Sequence, residues 1–426
     1  MMLSNISMPL LGLVDTAVMG HLDSAIYLAA VSVGAMIIHF IFWGFGFLRM
    51  STVGLAAQAY GANNGDELRN LLARGISTSM LIAFVLVVLQ SLLISLSLSI
   101  VEPSDKVAML SAEYFNIRIW SAPATLITYV LLGWFLGIHK ARFVLAVMVF
   151  VNVLNIILDL VLVVGFGMDV AGAAYASLLA EYAGLLLALY LLIKTLVKIP
   201  GHFNFEEIKN LPAIKKLMSL NANIFIRTIT LLFVFAFFTT QGARAGDVVV
   251  AANALLLQFL TFVAYVLDAY AHAAEAMVGE AVGDNNHNKF KQVVRACAQW
   301  SLWSSLLFCG LYWLSGEWII SLLTDIEEVR RYSANFLPWL IVLPVIAVWG
   351  YLYDGIFIGA TWSKEMRDVM LISVLLFYLP AWWFSQAMDN HGLWLSMILF
   401  FIARGGLMAW KYQLKIRKPA IVGRRS

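Results

Sequence analysis

Three polar residues recur at helical spacing inside one of the long apolar stretches of this chain. Asn152, Asn155 and Asp159 stand at i, i+3 and i+7, so a helix would carry all three on one face. A further carboxylate, Asp15, lies in the apolar N-terminal stretch. Two carboxylates that share a low-dielectric pocket cannot both ionise easily, so such a pair can take up and release a proton. We therefore expect Asp15, Asn155 and Asp159 to bind a coupling cation, with Asn152 beside them.

Three more carboxylates lie in apolar stretches of the second half of the chain. Asp268 and Glu275 are seven residues apart, hence on one helical face, and Asp354 lies in a later stretch. Ionisable groups within a membrane are costly and are functional candidates by default. We expect these three to be possible contacts for a cationic substrate. Other in-span charges, namely Arg49, Glu181 and Arg227, are either neutralising partners or groups that reach the membrane surface.

Two further residues could support the first-half cluster. Tyr129 lies in the middle of the predicted span that precedes the polar face. Pro9 precedes Asp15 by six residues, and a proline within a helix removes a hydrogen bond and permits a kink. The expected role of Pro9 is to let the first helix bend near its acid; a position in the first turn would make it harmless.

The composition shows what must hold these residues. The chain has 426 residues, of which 62% are hydrophobic and 12% are charged, with a mean hydropathy of +0.85. Soluble domains are about 45–50% apolar and about 25% charged, so a soluble globule, a disordered chain and a disulfide scaffold are excluded. At roughly 20 residues per span, the apolar residues suffice for about a dozen helices in a lipid bilayer. The net charge of +3 is too small to suggest a nucleic-acid partner.

The hydrophobic pattern predicts an all-α polytopic membrane protein with twelve transmembrane helices. Met1 leads directly into an apolar stretch without a basic leader region, so we expect that stretch to be the first span. A polar stretch, 198–216, is the expected linker between halves. The predicted spans are 1–20, 28–60, 71–100, 112–138, 143–166, 170–196, 217–240, 248–282, 290–323, 329–358, 369–388 and 393–414.

The distribution of basic residues predicts the orientation. Twenty of the 28 Lys and Arg residues fall in loops on one side of the predicted spans, and four fall on the opposite side. Cytoplasmic loops carry the excess of Lys and Arg. We therefore expect both termini in the cytoplasm, which requires an even number of spans, and a basic cytoplasmic tail over 415–426.

An internal repeat at an offset of 222 residues divides the spans into two sets of six. Gln58–Asn64 resembles Glu280–Asn286, and Gly133–Gly137 resembles Gly355–Gly359. We expect two pseudo-symmetric six-helix lobes, over 1–197 and 217–414, related by an axis along the membrane normal. Two lobes around a central cavity are typical of transporters that work by alternating access.

Several of these segments resemble the multidrug and toxic compound extrusion (MATE) family. The resemblance lies in Leu13–Gly20, in Asn152–Asp159 and in Val170–Ala176. Arg49–Thr52 and Asp354–Thr361 are similar to the DinF-like branch of that family. The resemblance extends over essentially the whole chain.

The resemblance implies a cation-coupled antiporter that exports organic, often cationic compounds across the bacterial inner membrane as a monomer. Asp15, Asn155 and Asp159 match first-lobe positions at which protonation is thought to bend helix 1 and expel substrate, with Tyr129 and Asn152 near them. Asp354 falls close to a second-lobe acid of other branches. This branch points to H⁺ over Na⁺ as the coupling ion, with no other cofactor or metal. Only fourteen residues precede Asp15, fewer than family members usually have.

Three alternatives stay open. A Na⁺-coupled exporter would use the same carboxylate and amide oxygens as ligands. A flippase for lipid-linked precursors would need a strongly basic cavity, whereas the in-span arginines are few and scattered: Arg49, Arg118, Arg227 and Arg404. An intramembrane enzyme would need a metal or nucleophile constellation, and only His272 and Glu275, at i and i+3, come near one. We therefore expect a transporter and not an enzyme.

Overall fold

The computed structural model describes residues 25–417, and this part of the chain is helical and contains no strand. Sixteen α-helices follow in order: α1 Ala25–Gly44, α2 Phe47–Gly61, α3 Gly65–Val88, α4 Gln90–Val101, α5 Asp105–Arg118, α6 Ala122–Gly137, α7 Ala141–Asp159, α8 Asp169–Leu196, α9 Phe205–Ile208, α10 Leu211–Arg244, α11 Asp247–Gly283, α12 His287–Leu323, α13 Glu327–Gly359, α14 Ser363–Ile372, α15 Leu379–Phe384 and α16 Asp389–Ile416. Two π-helical turns, Leu160–Gly165 and Ser373–Tyr378, extend α7 and join α14 to α15.

The predicted all-α membrane fold is confirmed. Eleven helical segments within 25–417 are long and apolar enough to cross a membrane, and they correspond one to one with the second to twelfth predicted spans. The first predicted span, 1–20, lies outside the described residues, as do Pro9 and Asp15. The predicted number of twelve is therefore approximately supported.

Two predicted boundaries were wrong. The predicted third span, 71–100, ends early, because the backbone leaves helical geometry at Leu89 and a separate helix α4 follows. The stretch 198–216 is not simply a polar linker, since it contains α9 and the first turns of α10. Asn204 starts α9 by accepting hydrogen bonds from the backbone N–H groups of Glu206 and Glu207. Pro212 falls in the first turn of α10, where a missing N–H costs no helical hydrogen bond.

The chain forms two compact units, unit 1 over Met1–Lys216 and unit 2 over Leu217–Ser426. In unit 1, α2 packs closely on α6, and Trp134 is fully buried with its indole N–H donating to the Leu68 carbonyl, 3.0 Å away. In unit 2, α11 packs on α13, and Trp394 and Phe238 are fully buried, with ring centroids 4.9 Å apart.

The 222-residue offset recurs in the backbone of the two units, at the glycines where these helices cross. A Cβ atom at Gly133 would lie 2.4 Å from the carbonyl oxygen of Arg49, and one at Gly355 would lie 2.2 Å from that of Ala271. The next turn repeats the pattern, with Gly137 against Val53 and Gly359 against Glu275. All four pairs obey the same offset. Only glycine permits backbones to approach this closely, so the same crossing is built twice.

The turns before α3 and α12 repeat in the same way. Asn63 and Asn285 both adopt a left-handed conformation, with φ of 53° and 59°. The next residue caps the following helix in each case: Asn64 accepts from the Glu67 N–H and Asn286 from the Lys289 N–H, both at 2.9 Å. Asparagine suits both positions, since it tolerates the left-handed region and its side chain caps helices.

Candidate functional site

The polar face predicted on one helix of unit 1 lies on α7. Asn155 and Asp159 are 2% and 3% exposed, and Asn152 is half-buried. The Asn155 side-chain amide donates to the hydroxyl of Ser177 on α8, at 3.3 Å. The structure thus brings these three residues together inside unit 1. A buried carboxylate among amides can hold a proton or ligate a cation through oxygen.

An ion pair joins α5 to α8 in the same unit. The Arg118 guanidinium donates from Nη2 to Oε1 of Glu181, 2.9 Å away, and from Nη1 to the Ser121 hydroxyl, 2.8 Å away. The hydroxyl of Thr125 donates to the other oxygen of Glu181. The two charged side chains are only 11% and 20% exposed. The pair therefore satisfies its own hydrogen bonds, as a charge within a membrane requires.

Tyr129 belongs with this ion pair. It is half-buried on α6, close enough to Glu181, Arg118 and Arg49 for their charges to act on its hydroxyl. Its proposed support for the polar face on α7 stays a prediction.

Unit 2 holds a carboxylate between two arginines. Arg227 of α10 and Arg404 of α16 both donate from Nη2 to Oδ2 of Asp354 on α13. Asp354 is 5% exposed, Arg227 8% and Arg404 1%. One carboxylate thus ties three helices together, and its negative charge is shared by two cations.

The surroundings of Arg404 are shaped to its side chain. A Cβ at Gly350 would lie 3.4 Å from Cδ, Nε and Cζ of Arg404, so the glycine leaves the space that the guanidinium occupies. The guanidinium also lies 5.7 Å from the ring centroid of Tyr351, within the range of a cation–π contact.

The other predicted contacts of unit 2 lie on α11. Glu275 is buried, at 2% exposure, and its Oε1 lies 3.3 Å from Nδ1 of His272. Asp268 is half-buried. Both carboxylates lie near enough to Arg227 for their charges to act on it. Asp268, Glu275 and Asp354 therefore belong to one electrostatic neighbourhood, in which Asp268 is the most exposed of the three.

The sequence analysis missed the pairing of these charges. It found Arg118 and Arg404 only as scattered in-span arginines and left Glu181 and Arg227 without partners. Arg227 and Arg404 in fact converge on one carboxylate. An arginine in an apolar helix was the available signal, because it must find a counter-charge there, but which one follows only from the packing.

Among the residues the structure describes, no group of three or more His, Cys, Asp or Glu side chains could hold a metal ion. The candidate sites are thus two buried sets of charged and polar residues, one in each unit.

Comparison with known proteins agrees with this architecture. The family model described as MatE matches residues 1–161 and 223–383. The chain is 42% identical to the DNA damage-inducible protein F of Escherichia coli K12 over 407 residues, which cover 95% of this chain and 88% of that protein. It is 25% identical to the probable multidrug resistance protein NorM of Rhizobium meliloti, over 95% of this chain and 89% of the relative.

Solved structures share the fold. An outward-facing multidrug resistance MATE transporter of the MOP superfamily superposes with a TM-score of 0.87 at 19% identity, over 98% of this chain and 94% of that one. A mutant Vibrio cholerae MATE transporter gives 0.85 at 21% identity, over 99% and 95%.

Proposed function

Since the chain is a membrane transporter of the MATE family and of its DinF-like branch, we propose that it is a proton-coupled antiporter. It exports small organic, often cationic compounds across the bacterial inner membrane in exchange for H⁺. The coupling residues are Asp159 and Asn155 together with Asp15, which lies outside the described residues.

The observation that carries this proposal is the buried polar face of α7. Asp159 is 3% exposed, and Asn155 beside it is held by Ser177. Ionising a carboxylate at such a site costs free energy, and protonating it removes that cost. A proton is therefore a natural ligand of this face. The relatives named as multidrug resistance proteins support drug-like compounds as the exported class.

Exchange follows when the proton and the substrate favour different states of the transporter. A proton that enters from outside neutralises the acid of the α7 face. The loss of that charge lets the neighbouring helices repack, and the state that binds substrate becomes less populated. Because a ligand shifts an equilibrium only by its differential affinity for the two states, the two ligands displace one another, and a proton gradient drives export.

The test is transport of ethidium into inside-out proteoliposomes with either a pH gradient or a Na⁺ gradient. We expect the pH gradient alone to drive uptake. Asp159→Asn should reduce that uptake at least tenfold, because the amide cannot take up a proton. The matched control is Asp105→Asn, which makes the same substitution at an exposed residue of unit 1 and should transport normally.

Two results would overturn the proposal. Uptake driven by Na⁺ alone would make this chain a sodium-coupled exporter that uses the same oxygens as ligands. Undiminished pH-driven uptake by Asp159→Asn would show that the α7 face does not couple to protons.

A further inference from the structure

A histidine and a glutamate form a buried pair one helical turn apart on α11. Nδ1 of His272 and Oε1 of Glu275 are 3.3 Å apart, and the two side chains are 14% and 2% exposed. The glutamate is held in place by its own backbone, since its carbonyl lies where a Cβ of Gly359 would come within 2.6 Å. The carboxylate cannot move away from the imidazole without parting α11 from α13.

The chemistry of this contact leaves one nitrogen for a proton. An ionised carboxylate only accepts hydrogen bonds, so Nδ1 of His272 carries the hydrogen that faces Glu275. In the neutral ring the other nitrogen, Nε2, then has a free lone pair. A proton from water binds there without breaking the contact, and the resulting imidazolium makes a stronger, charge-assisted bond to Glu275.

The charges around the pair favour that proton. Two buried cations, Arg227 and Arg404, face three carboxylates: Asp354, Glu275 and the half-buried Asp268. One negative charge is left over when His272 is neutral. An uncompensated charge is costly in a low-dielectric interior. A single proton on His272 cancels it.

The remaining titratable and charged groups of neighbouring helices do not supply this compensation. Tyr351 of α13, which lies against Arg404, is neutral. On α12, Tyr312 donates to the Phe259 carbonyl and Lys289 pairs with Glu280, both at least two turns along α11 from His272. Within α11, Asp268 precedes His272 by four residues and lies on the same helical face.

We propose that His272 and Glu275 form a second proton-binding site, carried by unit 2 and separate from the carboxylates of unit 1. The proton binds at Nε2 of the imidazole. The use of this site in exchange rests on the proposed proton coupling, whereas the binding itself does not.

The test is a pH titration of the purified full-length chain, labelled with ¹⁵N-histidine and reconstituted in lipid. The His272 signals are identified by their loss in His272→Gln. We expect them to report proton binding between pH 5 and 9. In Glu275→Gln, the proton affinity of His272 should fall at least tenfold, because the charged acceptor is lost. His391, which accepts a hydrogen bond from the Trp339 indole at 3.1 Å in the same unit, is the internal control and should keep its affinity.

Asp268→Asn provides a second variant, at a half-buried residue that makes loss of folding a smaller concern. It should lower the proton affinity of His272 by a smaller factor, about threefold. The proposal is overturned if the His272 signals stay constant from pH 5 to 9, or if both variants titrate like the unmodified chain. Because no transport is measured, this outcome is independent of whether Asp159→Asn abolishes pH-driven uptake.

Discussion

Units 1 and 2 share their backbone plan but differ in their buried charges. The glycine crossings and the asparagine caps recur at an offset of 222 residues. Asp354, by contrast, corresponds to Leu132 in unit 1, and Arg404 corresponds to Tyr182. The repeat has therefore kept the contacts that make the fold, while the ionisable residues have been placed separately in each unit. Charges that the fold does not require twice are candidates for function.

The two ion clusters also differ in how well they are balanced. In unit 1, one arginine meets one glutamate, and hydroxyl groups complete the hydrogen bonds. In unit 2, two arginines share one carboxylate oxygen, with two further carboxylates nearby. A balanced pair serves to join helices. An unbalanced set responds to the loss or gain of one charge, which is why the proton site is proposed in unit 2.

The largest expected effect that separates the units comes from removing their central carboxylates. Asp354→Asn leaves two arginines buried without a counter-charge and should destabilise the protein by about 3–5 kcal/mol. Glu181→Gln leaves one arginine that is more exposed and still bonded to Ser121, and should cost about 1–3 kcal/mol. Denaturant unfolding in mild detergent, followed by circular dichroism, measures both. Equal losses would contradict the difference in balance described here.

A second comparison asks whether the two glycine crossings are equivalent. Gly133→Ala and Gly355→Ala each place a methyl group against a backbone carbonyl, and both should lose about 1–3 kcal/mol. Gly406→Ala is the control, since a Cβ there meets nothing within 4 Å, and it should be neutral or slightly stabilising because alanine favours helices. Thermal melting of the three variants compares them. A loss in only one crossing variant would mean that the repeated backbone contact does not carry the same load.

The smallest effects are expected at the repeated caps. Asn64→Ala and Asn286→Ala each remove a side-chain acceptor from the first turn of a helix, and each should cost about 1 kcal/mol. Amide hydrogen exchange at Glu67 and Lys289 should accelerate in the corresponding variant alone. Faster exchange at the distant cap as well would point to a global effect and not to local fraying.

Most of the fold could be predicted from local sequence. Runs of apolar residues located the described spans, because about 20 such residues suffice to cross a bilayer in any tertiary context. The asparagine pairs and the glycine pairs revealed the repeat, because each residue type answers a local demand of the backbone. The early end of the third predicted span at Leu89 and the helical start at Leu211 were missed, since an apolar run can continue through a break and a polar run can be helical.

Less of the candidate sites could be predicted. The spacing of Asn152, Asn155 and Asp159 was enough to place them on one helical face, and the structure confirms that Asn155 and Asp159 of this face are buried. The partners of Arg118, Arg227 and Arg404 could not be assigned from spacing, because a periodic pattern says which face of a helix a residue occupies but not which helix that face meets.

The sequence by itself determined that this chain is a bundle of membrane-spanning helices built from a repeat, with acids and arginines inside the spans. Only the tertiary structure decided that Asp354 lies between Arg227 and Arg404, and that Glu275 and His272 share their neighbourhood. The physical reason is the range of the interactions. Hydrophobic periodicity and helix capping act over a few residues, whereas Arg227 and Asp354, or Asp354 and Arg404, are 127 and 50 residues apart and meet only when whole helices have packed.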